Sequence, residues 1–180
     1  MKDFMKHYIL IFIGLFVFTG CVQSVPIPAV RGEVPIQISA DNPALTAYNY
    51  YGLHESTDRQ ELRSYTGVDP VRTEWCAAFV NSVLHESGIP GSESISDVPL
   101  MARSFLTWGD KVSEEDIQPG DLVVFPRGDK GWQGHVGFYL QTYVKDNIKY
   151  YLILGGNQSN KVSIEMYRAS RALDIRRRKI

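Results

Sequence analysis

The chain of 180 residues has only two cysteines, Cys21 and Cys76. Two thiols cannot build a disulfide framework, so an apolar core must hold the fold. Charge of one sign is not in excess either, with 19 Lys+Arg against 20 Asp+Glu. That balance makes phosphate-driven nucleic-acid binding a poor fit, and no nucleic-acid partner is expected. The apolar run Tyr8 to Phe18 is eleven residues long, short of the roughly 20 that a bilayer-spanning helix needs. No His-Glu-x-x-His spacing occurs, and Gly128, Gly131 and Gly134 lack the strand-to-helix context of a phosphate loop. The sequence therefore calls for no metal and no cofactor, and it contains no internal repeat.

What is present begins with an address. Lys2 and Lys6 precede the apolar run, and Thr19-Gly20 follow it, the arrangement of a secretory signal over residues 1–20. Phe18-Thr19-Gly20-Cys21 resembles the bacterial lipobox, with Phe18 where that motif usually has Leu. The resemblance implies lipidation at Cys21 and a lipid-held protein of the cell envelope. Val22, rather than Asp, resembles the outer-membrane pattern, facing the periplasm, in envelopes with two membranes. Val22 to Ala40 contains Pro26, Pro28 and Pro35 without helical or strand periodicity, so residues 21–40 read as an extended tether. Removal of residues 1–20 leaves 17 basic against 19 acidic residues. The 140 residues from 41 to 180 suffice for one domain with a sizeable core.

That domain divides in two. Asn42-Pro43 predicts a capped helix stopping at Gly52, and Thr57 with Gln60 forms a capping-box pattern. A third helix is predicted from about Glu74 to Ser87, with Cys76, Phe79, Val80, Val83 and Leu84 on one stripe. A fourth is predicted from Pro99 to Trp108. From Gly120 the period changes. Strands are predicted over 121–126, 135–143, 148–154, 162–167 and 172–179, with a Lys-Asp-Asn turn joining the second and third. Helices followed by a meander of about five antiparallel strands make an α+β fold. The run Arg176 to Lys179 reads as a solvated last strand.

If Cys21 is lipidated, Cys76 is an exported thiol without an intramolecular partner. Thr73 is a natural N-cap, which would put Cys76 in the first helical turn, where N–H groups and the helix dipole favour a thiolate. A thiolate nucleophile needs a base. His54 and His85 sit in His-Glu pairs and read as surface residues. His135 opens a strand in Gly134-His135-Val136-Gly137, with Gly137 on the same face. Leu154-Gly155-Gly156-Asn157-Gln158 closes the following strand, so register places Asn157 beside His135, able to fix its tautomer. Trp75 and Trp132 are the candidate substrate-binding residues, Trp132 by stacking. Trp132 lies in a glycine-bearing loop, residues 127–134, expected to be flexible.

Trp-Cys-Ala-Ala-Phe-Val-Asn at 75–81, Pro-Gly-Asp-Leu-Val-Val-Phe at 119–125, Gly-His-Val-Gly-Phe-Tyr at 134–139 and Gly-Gly-Asn-Gln at 155–158 resemble the CHAP family. These are the cysteine, histidine-dependent amidohydrolases/peptidases, grouped with the NlpC-like cell-wall peptidases. The resemblance implies a papain-like fold and cleavage of peptidoglycan amide bonds, as an N-acetylmuramoyl-L-alanine amidase or an endopeptidase. It maps Cys76 to the nucleophile, His135 to the base and Asn157 to the polar third residue. Many members carry a glutamate two positions before that asparagine, where this chain has Gly155. The alternatives are a degenerate wall-binding lipoprotein, and a thiol acyltransferase or toxin on the same fold. Oligomeric state is not legible.

Overall fold

Asn42 and Pro43 open the first helix, α1 (Pro43–Tyr48), as their order predicts: Asn42 Oδ1 accepts the Ala44 N–H at 2.9 Å. The same side chain donates through Nδ2 to the Pro119 carbonyl at 2.7 Å, tying the helix to the turn that enters the main sheet. The computed structural model describes residues 24–27 and 36–179. The signal segment and Cys21 lie outside the described residues.

The second helix, α2 (Arg59–Thr66), begins later than the capping-box pattern predicts. Thr57 caps nothing; its hydroxyl donates to Asp58 Oδ2 at 2.8 Å, and that oxygen also accepts the His54 N–H. The third helix, α3 (Cys76–Glu86), buries nearly its whole first two turns. In place of the predicted fourth helix there is a 3₁₀ segment, Ala102–Thr107. Its buried apolar residues Ala102 and Phe105, with Trp108 just past its end, recur every three residues, the period of a 3₁₀ rather than an α-helix.

Six antiparallel strands form the main sheet: β3 (Asp110–Lys111), β4 (Leu122–Pro126), β5 (Gly134–Lys145), β6 (Ile148–Gln158), β7 (Lys161–Arg168) and β8 (Asp174–Arg177). Their order is β3-β8-β4-β5-β6-β7. The fold is α+β, with the five expected strands and one two-residue edge strand. β5 and β6 are joined through Asp146 and Asn147, both at positive φ, as a two-residue hairpin turn requires. Alternation along β4 sends Leu122 and Val124 into the core shared with α3. It sends Val123 and Phe125 into a second cluster with Tyr139, Tyr151, Ile153 and Ile175.

Two expectations need correction here. Arg177 is not simply solvated: its Nε and Nη2 donate to the two oxygens of buried Asp121 at 2.7 and 2.8 Å. Nor is the whole of 21–40 a tether. β1 (Ser24–Ile27) pairs with β2 (Ile36–Ser39), and Ile36 and Ile38 are buried in the core with Ala44, Ala47 and Leu84. Two apolar residues two apart are a strand signal that the prolines around them obscured. Ile38→Ala should therefore lower the unfolding free energy in urea by roughly 2–4 kcal/mol, as a core truncation does. A side chain in a tether would change it by less than about 0.5 kcal/mol.

Candidate active site

Cys76 is the first residue of α3, and Trp75, not Thr73, is its N-cap, with no side-chain cap bond. The N-cap side chain therefore accepts none of the first-turn N–H groups. Trp75 sets where the helix begins. Its indole is fully buried, lies edge-on to Phe79 and donates to Glu55 Oε2 at 3.3 Å. Gly156 makes the room, since a Cβ there would fall 2.5 Å from the Trp75 ring and 2.8 Å from Phe79 Cβ. Trp75 is therefore a packing residue and cannot stack on a substrate.

The backbone N–H groups of Val136 and Ala77 lie near enough to the Cys76 sulfur to favour its thiolate. The thiol thus lies against the strand backbone that carries His135. Burial nevertheless pushes the thiol up, outweighing those two N–H groups and the positive charge of Arg127. A thiolate stabilised by the helix start is not the resting state.

His135 is 2% exposed and stacks on Tyr167, which stacks in turn on Phe125. Its Nε2 is 2.9 Å from Gln158 Oε1. The Gln158 amide nitrogen donates to the carbonyls of Ser163 at 2.6 Å and Ile153 at 3.2 Å. With its N–H groups so committed, the carboxamide offers His135 only its oxygen. Nε2 must then carry the proton, and Nδ1 is the bare nitrogen. Nδ1 is buried with no hydrogen-bond partner among the described residues, and so no bond to Cys76 is formed. Burial, and secondarily the Arg127 charge, push the imidazole down to about 4 against the Gln158 bond.

Asn157 does not touch His135. Its Nδ2 donates to Glu74 Oε2 at 2.7 Å and its carbonyl accepts Arg127 Nη2 at 2.9 Å. The cause is a β-bulge. Gly155 pairs with Ser163 and Gln158 with Lys161, so β6 has one residue more than β7 between these pairs. Asn157 absorbs it at φ 57, a left-handed conformation that Asn tolerates better than most residues. The extra residue moves the position facing His135 from 157 to 158. Gly155 completes the fit, since a Cβ there would lie 3.2 Å from Gln158 Oε1. The Gln158 carboxamide thus fills the space before position 155, where the family resemblance places a glutamate.

A cleft of about 250 Å³ opens beside Cys76, lined among others by Glu74, Leu100, Met101, Arg127 and Trp132. Trp132 is 56% exposed on its rim. The loop that carries it is tied down rather than free: Arg103 Nε donates to the Gln133 carbonyl at 2.8 Å, and Gln133 Oε1 accepts the Lys130 N–H. His54 and His85 lie away from this cleft, and His85 pairs with Glu93.

The profile of the CHAP domain matches residues 68–157, half of the chain. The chain belongs to the CHAP family. This CHAP domain is accordingly a hydrolase-type domain of the cysteine- and histidine-dependent class, related to peptidoglycan. The matched span holds Cys76, His135 and Asn157 and ends one residue before Gln158. No curated protein matches the chain. Among solved structures, the P60 domain of an M. avium paratuberculosis antigen is similar at 14% identity and a TM-score of 0.38, over 69% of this chain and 98% of that one.

Gln158, Tyr167, Arg127 and Glu74 are the site residues that sequence reasoning missed. The Gly-Gly-Asn run ahead of Gln158 was the available signal for a bulge.

The buried imidazole has a pH consequence. Its folded value lies at about 4 and its ordinary value at 6.5, so the unfolded chain binds the proton first. The stability that neutral His135 contributes is complete above about pH 6.5 and is lost as pH falls toward 4. The difference corresponds to on the order of 3 kcal/mol. Urea titrations should show that decline in the native protein and a flatter profile over the same window in His135→Gln.

Proposed function

We propose that this CHAP domain is an exported peptidoglycan hydrolase that cleaves an amide bond of wall peptides by acyl transfer through Cys76. The observation that carries the reading is the His135–Gln158 bond, because it leaves Nδ1 unprotonated and, among the described residues, without another partner. Nδ1 takes the Cys76 proton as sulfur attacks the amide carbonyl. The developing imidazolium keeps its Nε2 proton on Gln158 Oε1. As the C–N bond breaks, Nδ1 returns that proton to the leaving amine. Water then attacks the thioester, Nδ1 takes its proton, and the thiolate leaves and is reprotonated. The Cys76 N–H at the uncapped helix start is suited to hold the oxyanion. Free enzymes often lack a tight nucleophile–base bond until substrate arrives.

Export, with lipidation at Cys21 holding the protein in the cell envelope, belongs to the same proposal and rests on the N-terminal sequence. The buried, protonated thiol favours one competing reading, a wall-binding protein without activity. Purified protein incubated with defined muropeptides, with mass spectrometry of the products, decides between them and identifies the bond as sugar–peptide or peptide–peptide. Cys76→Ala should lower cleavage by at least about 10³-fold with an unchanged melting temperature; undiminished cleavage would sink the mechanism. Gln158→Ala should cost on the order of 10²-fold in kcat. Asn157→Gly keeps the left-handed conformation and should cost less than about tenfold. The reverse ranking would restore Asn157 as the orienting residue.

A further inference from the structure

Freed from His135, Asn157 organises something else. Its carbonyl fixes the Arg127 guanidinium through Nη2 at 2.9 Å, while its Nδ2 holds Glu74 at 2.7 Å. Arg127 Nη1 stands 3.5 Å from Glu74 Oε2 and makes no hydrogen bond among the described residues. Glu74 is weakly retained there, since its side chain is 80% exposed and exposed ion pairs contribute little. Both residues line the cleft that also holds Cys76, together with the exposed apolar side chains Leu100, Met101 and Trp132.

A guanidinium fixed on one side and under-used on the other is a carboxylate receptor, because its planar donors match the two carboxylate oxygens. A lysine would offer a charge but not that geometry. Glu74 occupies the position of the anion that the receptor is shaped to take, and can swing away at small cost. We infer that Arg127 is a specificity residue that binds a free carboxylate of the substrate peptide close to the scissile amide, displacing Glu74, while the apolar rim covers the neighbouring uncharged part of the peptide. The inference rests on the proposed hydrolase reading for its substrate class. Arg127 also bears on the Cys76 thiol and the His135 imidazole; an anion docked on it therefore changes the charge felt at both.

The test uses two synthetic muropeptides that differ in one group, a free α-carboxylate or a carboxamide on the second stem residue. The native protein should process the carboxylate form about tenfold better in kcat/KM, mostly through KM. Arg127→Gln should bring the ratio near one, and Arg127→Lys should leave an intermediate ratio with the charge retained. Equal kcat/KM values for the two peptides in the native protein, or an unaltered ratio in Arg127→Gln, would overturn the inference. Calorimetry with Cys76→Ala and the same peptides decides the matter apart from catalysis. A tenfold difference in Kd, abolished by adding Arg127→Gln, supports the receptor even if neither peptide is cleaved, and equal Kd values refute it.

Discussion

Gln158 Nε2 lies between the carbonyls of Ser163 and Ile153, and turning the carboxamide over would set its oxygen against both of them. Two buried acceptors facing a third would forfeit hydrogen bonds worth about 1 kcal/mol each and add desolvation penalties. The orientation of this one group is therefore fixed by strand carbonyls that take no part in the chemistry. From it follows the His135 tautomer, with its unprotonated Nδ1. The orientation depends in turn on the bulge at Asn157, without which position 158 would point to the opposite face of the sheet. Arg127 and Glu74 grip that residue through its carbonyl and its amide, so the cleft wall and the imidazole's partner share one support.

The electrostatics of the pair run against an ion pair from both ends. Desolvation raises the thiol and lowers the imidazole, because each would acquire a charge while buried. The opposing contributions, the N–H groups near sulfur and the Gln158 oxygen on Nε2, are outweighed. Arg127 does not act evenly: its positive charge favours the thiolate and disfavours the imidazolium. The groups that would stabilise charge are in place, but they suit a charge that forms during attack more than one held at rest.

Much of this was legible in the chain. Helices first and strands afterwards, the Asn42 cap, the Asp146-Asn147 turn and the placing of Cys76 at the opening of α3 all follow from local chemistry. The departures arise where a non-local contact overrides a local preference. Thr57 and Thr73 are good caps by residue type, yet the burial of Leu62 and Trp75 sets where α2 and α3 begin. Asn157 was the right answer for a regular strand. A single inserted residue reverses the parity of everything after it, and register arithmetic cannot foresee that. Trp75 and Trp132 read alike in sequence; Gly156, far from Trp75 in the chain, is what lets one sink into the core while the other stays on the rim.

Were the protein exported, the neutral state of Cys76 would bear on how its thiol persists where no cytoplasmic reductant reaches it. Oxidation and disulfide exchange proceed through the thiolate, and their rates fall with its population and its access to solvent. Cys76, 4% exposed and raised in pKa by that burial, is protected on both counts. A permanently ionised, open cysteine would attack faster and be lost sooner. With the proton kept on sulfur, the proposed mechanism depends on His135 Nδ1 accepting it in the presence of substrate, so that in that mechanism the bare nitrogen left by Gln158 would serve protection of the thiol as well as its activation.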